Sequence, residues 1–243
     1  MLTAQRVRTS LLIGAAGAAV LAGVALGPAR PAPAARAAAV EGHCAERVAA
    51  VPAVVTRAER PPVALVLLLD TSGSSDGGPL EEVKADADRL LDTLAAADTV
   101  SIIAFSTRAT VVLGTMTADA NGRAHAREAI GELKQGGSTC ISCGLTAAQD
   151  ELARTRGALD LAPRIVLVSD GRANDGLWDA DELVAQAALV AGPGVGITTI
   201  AVGREADADE ATLERIAHAG HGRWYPSSFG SKLGVLFARE LGR

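Results

Sequence analysis

Aromatic side chains are scarce: three Phe, two Trp and one Tyr make up 2% of the 243 residues. A surface that holds bases or sugars by stacking needs such rings, so this composition argues against one. The interior must be built from Ala, Val, Leu and Ile, drawn from an apolar fraction of 49%. The length suffices for one domain of about 180–200 residues with a sizeable core. Aliphatic filling favours an α/β sandwich. Basic charge is also in deficit, with 23 Lys and Arg against 28 Asp and Glu. Nucleic acid is therefore a poor partner, because its binding rests on neutralised phosphates. There is no Gly-rich phosphate loop ending in Lys. Internal repeats are absent as well.

Residues 1–39 read as a secretory signal. Arg6 and Arg8 form a basic start, Leu11 to Gly27 is an apolar stretch, and Ala37-Ala38-Ala39 offers small residues for cleavage. The alternative is that residues 11–27 stay in place as a membrane anchor. No lipobox precedes Cys44, which follows Glu41-Gly42-His43. Cleavage would remove Arg6, Arg8, Arg30 and Arg36 and no acid, leaving 19 basic against 28 acidic residues, a net −9. Secretion, the periplasm or the cell envelope is the expected location. Residues 40–60 read as a linker and lead-in, and 61–243 as the folded domain. The prolines at 28, 31, 33, 52, 61 and 62 support that boundary.

Val63–Asp70 is an apolar run that ends in an acid, and it reads as a strand buried on both faces. The heptad-like apolar spacing from Leu80 to Leu94 predicts a helix over 79–97. Thr99–Ser106 and Ala109–Leu113 are apolar strands separated by Thr107 and Arg108, hence an antiparallel hairpin. A polar helix follows near 121–134, and another runs from about Ser142 to Arg156. Arg164–Ser169 is a buried strand closed by Asp170-Gly171. A helix over 179–191 and a strand over Gly196–Val202 come next. Glu210–Ala219 is a helix with Gly220 as its C′ residue. Gly222–Tyr225 is a short strand, and Phe229–Leu241 a last helix. Alternation of strands and helices predicts a doubly wound α/β fold. Its six-stranded, mostly parallel sheet would have the order 3-2-1-4-5-6, strand 3 antiparallel and helices on both faces.

In that order the chain reverses between strands 1 and 4, and ligands of open α/β sheets bind at such a point beyond the strands' carboxyl ends. Asp70 and Asp170 then flank one crevice, and the loop Gly136-Gly137-Ser138-Thr139 can set Thr139 over it. Asp70 with hydroxyls at Ser72 and Ser74 is an oxygen donor set suited to a hard divalent cation. The bland alternative has both serines capping the following turn.

Asp70-Thr71-Ser72-Gly73-Ser74, Thr139 and Val168-Ser169-Asp170-Gly171 together resemble the metal-ion-dependent adhesion site of a von Willebrand factor type A domain. The likeness covers roughly residues 60–241. It implies that Ser72 and Ser74 ligate a cation through their hydroxyls, with Thr139 joining when a partner binds. Asp70 and Asp170 would bind directly or through water. The implied cation is Mg²⁺, or Mn²⁺ or Ca²⁺, and the implied partner is a protein that supplies an Asp or Glu carboxylate. Asn174 and Asp175 sit on the rim, as turn formers or as partner contacts. On this reading the chain is a binding module, not an enzyme.

Where many relatives carry a polar residue after the threonine, this chain has Cys140, with Cys143 three positions on. A Cys140–Cys143 disulfide, a bridge from Cys44 to one of them, or free thiols all remain open. A zinc site of His43, Cys44, Cys140 and Cys143 belongs to the last group. Two other functions compete: a thiol–disulfide redox module using Cys140 and Cys143, and a scaffold subunit of an envelope complex. A haloacid-dehalogenase-like enzyme would need a second Asp where Ser72 stands. Asp76, Asp86 and Asp88 are expected on solvated helix faces, and His125, His218 and His221 in surface or packing roles. Trp178 and Trp224 are expected to fill gaps over helix ends.

Overall fold

The computed structural model describes residues 60–73, 79–155, 161–204 and 208–241. The expected leader (1–39), Cys44, His43, Ser74 and Asp76 lie outside them.

β1 (Val63–Asp70) is buried along its whole length. Its side chains alternate between two apolar layers, as a pleated strand requires. Leu65, Leu67 and Leu69 face one layer, and Ala64, Val66 and Leu68 the other. β2 (Thr99–Phe105) and β4 (Ala162–Ser169) flank β1 in parallel. β3 (Ala109–Thr117) runs antiparallel outside β2, while β5 (Gly196–Ala201) and β6 (His221–Tyr225) extend the other side. The sheet order is β3-β2-β1-β4-β5-β6, the order expected.

Among the described residues, three helices cover each face. α1 (Leu80–Leu91), α2 (Ala120–Gly131) and α6 (Leu233–Glu240) cover the first layer. α3 (Ile141–Thr155), α4 (Ala180–Ala191) and α5 (Glu210–Ala219) cover the second. Aspartates that the apolar pattern passes over start three of them. Asp119, Asp179 and Asp209 accept N–H bonds from the first turns of α2, α4 and α5.

Several expectations are corrected. α1 stops at Leu91, because the following turn folds back: the amides of Thr93 and Leu94 bond Leu90 and Leu91 carbonyls. Leu94 remains buried without being helical. β3 continues to Thr117, since its ladder with β2 resumes after a bulge and pairs Thr99 with Thr117. Gly220 is the C-cap of α5 at φ −84°, and His221 after it takes the left-handed φ of 56°. Gly220 is there for space instead: a Cβ would lie 2.5 Å from Ile197 Cβ. The last helix divides into a 3-10 turn, Ser227–Lys232, and α6. Asp86 is buried and paired with Arg89, not solvated. Trp178 fills no gap, being 69% exposed.

Candidate functional site

The carboxyl ends of β1 and β4 lie side by side. Leu69 pairs with Val168 in the parallel ladder, so the next residues, Asp70 and Ser169, emerge together. Asp70 Oδ2 accepts a 2.5 Å hydrogen bond from Ser169 Oγ, and Asp70 Oδ1 accepts the Ser72 N–H at 2.8 Å. Ser169 Oγ in turn accepts the Gly171 N–H at 3.0 Å. Thr71 anchors the far side of the turn through its N–H and hydroxyl, both bonded to the Phe105 carbonyl.

Burial raises the Asp70 carboxyl above its ordinary range; hydrogen bonds from Ser169 and Ser72 offset part of this, and the nearby Asp170 charge adds to the rise. Asp70 is 6% exposed, yet no Lys or Arg among the described residues forms an ion pair with it. A buried carboxylate without a cation is costly.

Thr139 comes to this acid from a distant stretch of chain. Its hydroxyl donates to Ser72 Oγ at 2.8 Å. Its N–H donates to Asn174 Oδ1 at 2.8 Å, and its carbonyl accepts the N–H groups of Asn174 and Asp175. The loop before it is held to β1's exit by the Gly136 N–H on the Thr71 carbonyl and the Gly73 N–H on the Gly137 carbonyl. The half-buried Asp170 follows Ser169; its Oδ1 accepts the Arg172 N–H at 3.0 Å and its carbonyl accepts the Asp209 N–H.

The structure thus brings Asp70, Ser72 and Thr139 into one bonded group, with Asp170 beside it. Ser74 lies outside the described residues. Asn174 Oδ1 accepts the Thr139 N–H, and Asp175 Oδ1 caps its own turn at the Gly176 N–H. Ser169 and Gln135 are contributors that residue type alone did not mark. Gln135 Nε2 donates to the Ser72 carbonyl at 3.2 Å. The signal for Ser169 was available, as the one polar side chain closing an apolar strand next to the Asp70 strand. Gln135 carried none.

The donor chemistry fits a hard cation. A buried, unpaired acid, a second acid close enough to raise its pKa, and two hydroxyls in contact supply only oxygen. Among the described residues no group of three or more His, Cys, Asp or Glu converges. Cys140 and Cys143 are joined as a disulfide, so neither is a free thiolate for zinc or a partner for Cys44.

A family model described as von Willebrand factor type A domain matches residues 64–237. The protein sll0103 of Synechocystis, described as uncharacterised, is 37% identical over 163 residues, covering 67% of this chain and 37% of that protein. The chain spans well under half the length of the curated relatives it matches. Among solved structures, the conserved hypothetical protein BatB from Bacteroides thetaiotaomicron has a TM-score of 0.62 at 20% identity, covering 74% of this chain and 97% of that one. Proximal thread matrix protein 1 from the mussel byssus, solved with a zinc-occupied MIDAS motif, has a TM-score of 0.57 at 21% identity, covering 75% and 46%. At such identities the likeness is one of fold.

Proposed function

Since this chain belongs to the von Willebrand factor type A domain family, we propose that it is an exported binding domain that takes a partner protein's carboxylate onto a divalent cation. Ser72, Ser74 and Thr139 would offer hydroxyl ligands, and Asp70 and Asp170 the negative charge. The cation is of the Mg²⁺ class, with Mn²⁺ or Ca²⁺ able to replace it. It would supply an electrophilic position that an Asp or Glu of the partner fills. Residues 1–39 serve export, 40–60 connect, and 61–243 form the domain.

The observation that carries this reading is Asp70: a buried acid to which the described residues give hydrogen bonds but no counter-charge. Everything around it on the chain holds oxygens in place. Ser169 fixes one carboxylate oxygen, and Asn174 fixes the backbone that presents the Thr139 hydroxyl. Hydroxyls are weak donors and two carboxylates only balance a dication, so such an ion keeps affinity for a further anion. The expected action is binding, with no chemical turnover.

The test is affinity capture from the native envelope on the immobilised protein. Partners should be held in Mg²⁺, released by EDTA, and missed by Asp70→Ala, whose circular dichroism should match the parent. Capture that is unchanged by EDTA would overturn the reading.

A further inference from the structure

The bridge between Cys140 and Cys143 lies directly beside this site. Cys140 follows Thr139 in the chain, and its N–H is tied to the Ser106 carbonyl at 2.9 Å. Cys140 is 1% exposed, and its sulfur lies 3.4 Å from Ser142 Oγ. Ser142 Oγ accepts the Leu177 N–H at 3.0 Å. Gly176, at φ +64°, lies flush on the bridge: a Cβ there would come within 2.5 Å of Cys140 Sγ and 3.8 Å of Cys143 Sγ. The segment resting on the bridge is therefore continuous with Asn174 and Asp175, which hold Thr139 by three hydrogen bonds.

The two sulfurs differ in access. Cys143 is half-buried and lines an open groove of about 630 Å³, with Arg108, Thr146, Asp150, Leu177 and Gln186 around it. Cys140 is enclosed, and its sulfur accepts the Cys143 N–H at 3.2 Å at the start of α3. That amide and the helix N-terminus stabilise negative charge arriving on Cys140 Sγ. An attacking thiolate can thus reach one sulfur, and the other is prepared to leave.

We propose that the Cys140–Cys143 bridge is a redox latch on the cation site: a dithiol reductant opens it by attack on Cys143, and the reduced protein binds the divalent cation more weakly. It presupposes the cation site proposed above. In the first step a bond forms between the reductant's sulfur and Cys143 Sγ. The Cys140–Cys143 bond breaks, and its electron pair leaves on Cys140. The reductant's second thiol then closes a disulfide within the reductant and releases Cys143 as a thiolate. Both thiolates take up protons, so two electrons and two protons pass from the dithiol to the protein. Sulfurs bonded at about 2 Å must then separate to a contact distance of about 3.5–4 Å. The space they need is held by Gly176, whose segment runs back to Asn174 and Asp175 on Thr139.

Linkage makes the latch reciprocal: whatever factor reduction costs in cation affinity, the bound cation must cost in ease of reduction. The test uses the full chain, dithiothreitol as the dithiol and Mn²⁺ as the cation. Bridge opening is read by alkylation and mass, and Mn²⁺ affinity by calorimetry. The latch predicts reduction without loss of far-ultraviolet circular dichroism, and Mn²⁺ affinity about fivefold or more weaker in the reduced protein. Saturating Mn²⁺ should shift the dithiothreitol ratio at half-reduction by the same factor. Cys140→Ser/Cys143→Ser should match the reduced protein whatever the buffer. A folded protein whose bridge resists dithiothreitol, or one that binds Mn²⁺ equally in both states, overturns the latch and leaves the cation site standing. Oxidised protein that binds no Mn²⁺ overturns both.

Discussion

Asp70 and Asp98 are both buried acids, and they meet burial in opposite ways. Asp98, none of it exposed, is held by Arg60 at 2.8 and 2.5 Å and by the amides of Val63 at 2.9 Å and Ala95 at 2.6 Å. Burial pushes its carboxyl up, but the Arg60 and amide hydrogen bonds and the Arg60 charge outweigh this and hold it below the ordinary range. A depressed folded pKa gives stability that is present above the unfolded carboxylate value and lost as pH falls through the folded one. Asp98→Asn should therefore flatten the acid limb of the stability curve and cost about 3 kcal/mol near neutral pH by leaving Arg60 unpaired. Urea titrations across pH read both effects. Asp70 has the opposite sign: its raised carboxyl favours the cation-free fold at low pH and loses that favour as pH rises. The sequence made Asp70 conspicuous as the acid ending an apolar run. Asp98 carries no such mark, because nothing in its neighbours points to an arginine 38 positions earlier.

Strands and helices were legible in proportion to how far their burial is one-sided or complete. β1 was read to its final residues, since all eight are buried and the flanking residues are Pro62 and a polar turn. β3 was read too short because its outer positions are exposed and carry little apolar signal. α1 was read too long because Leu94 continues the helical spacing while belonging to the turn after it. α6 depends on a contact that no spacing reveals. Glu240 accepts the Tyr225 hydroxyl at 2.8 Å and the Thr198 hydroxyl at 2.7 Å, tying the last helix to β5 and β6. Glu240→Ala should cost about 1–3 kcal/mol through the buried Thr198 hydroxyl's lost acceptor and the lost tie. Denaturant midpoints would show it, with Mn²⁺ affinity unchanged because α6 contributes nothing to the cation site.

Taken together, the site is assembled from three chain segments: the sheet order sets 70–72 beside 169–175, and hydrogen bonds bring the loop 135–139 to them. The two strands that end in acids were legible in the sequence, and the expected strand order set Asp70 and Asp170 at one crevice. The family resemblance assigns Thr139 and Ser72, 67 positions apart, to one cation; in the structure the Thr139 hydroxyl donates to Ser72 Oγ. What was not legible is the bracing: Ser169 beneath Asp70, Gln135 on Ser72, and Asn174 clasping Thr139 are tertiary facts that appear only once loops are packed. The same bracing makes the central claim testable without knowing the partner. Titration of the oxidised chain with Mn²⁺, followed by the loss of the free-ion electron paramagnetic resonance signal, should give one site per chain. Asp70→Ala should abolish that site, and Thr139→Ala should weaken it. If the chain takes up no Mn²⁺, or Asp70→Ala takes it up as the parent does, the account of this edge as a cation site is contradicted.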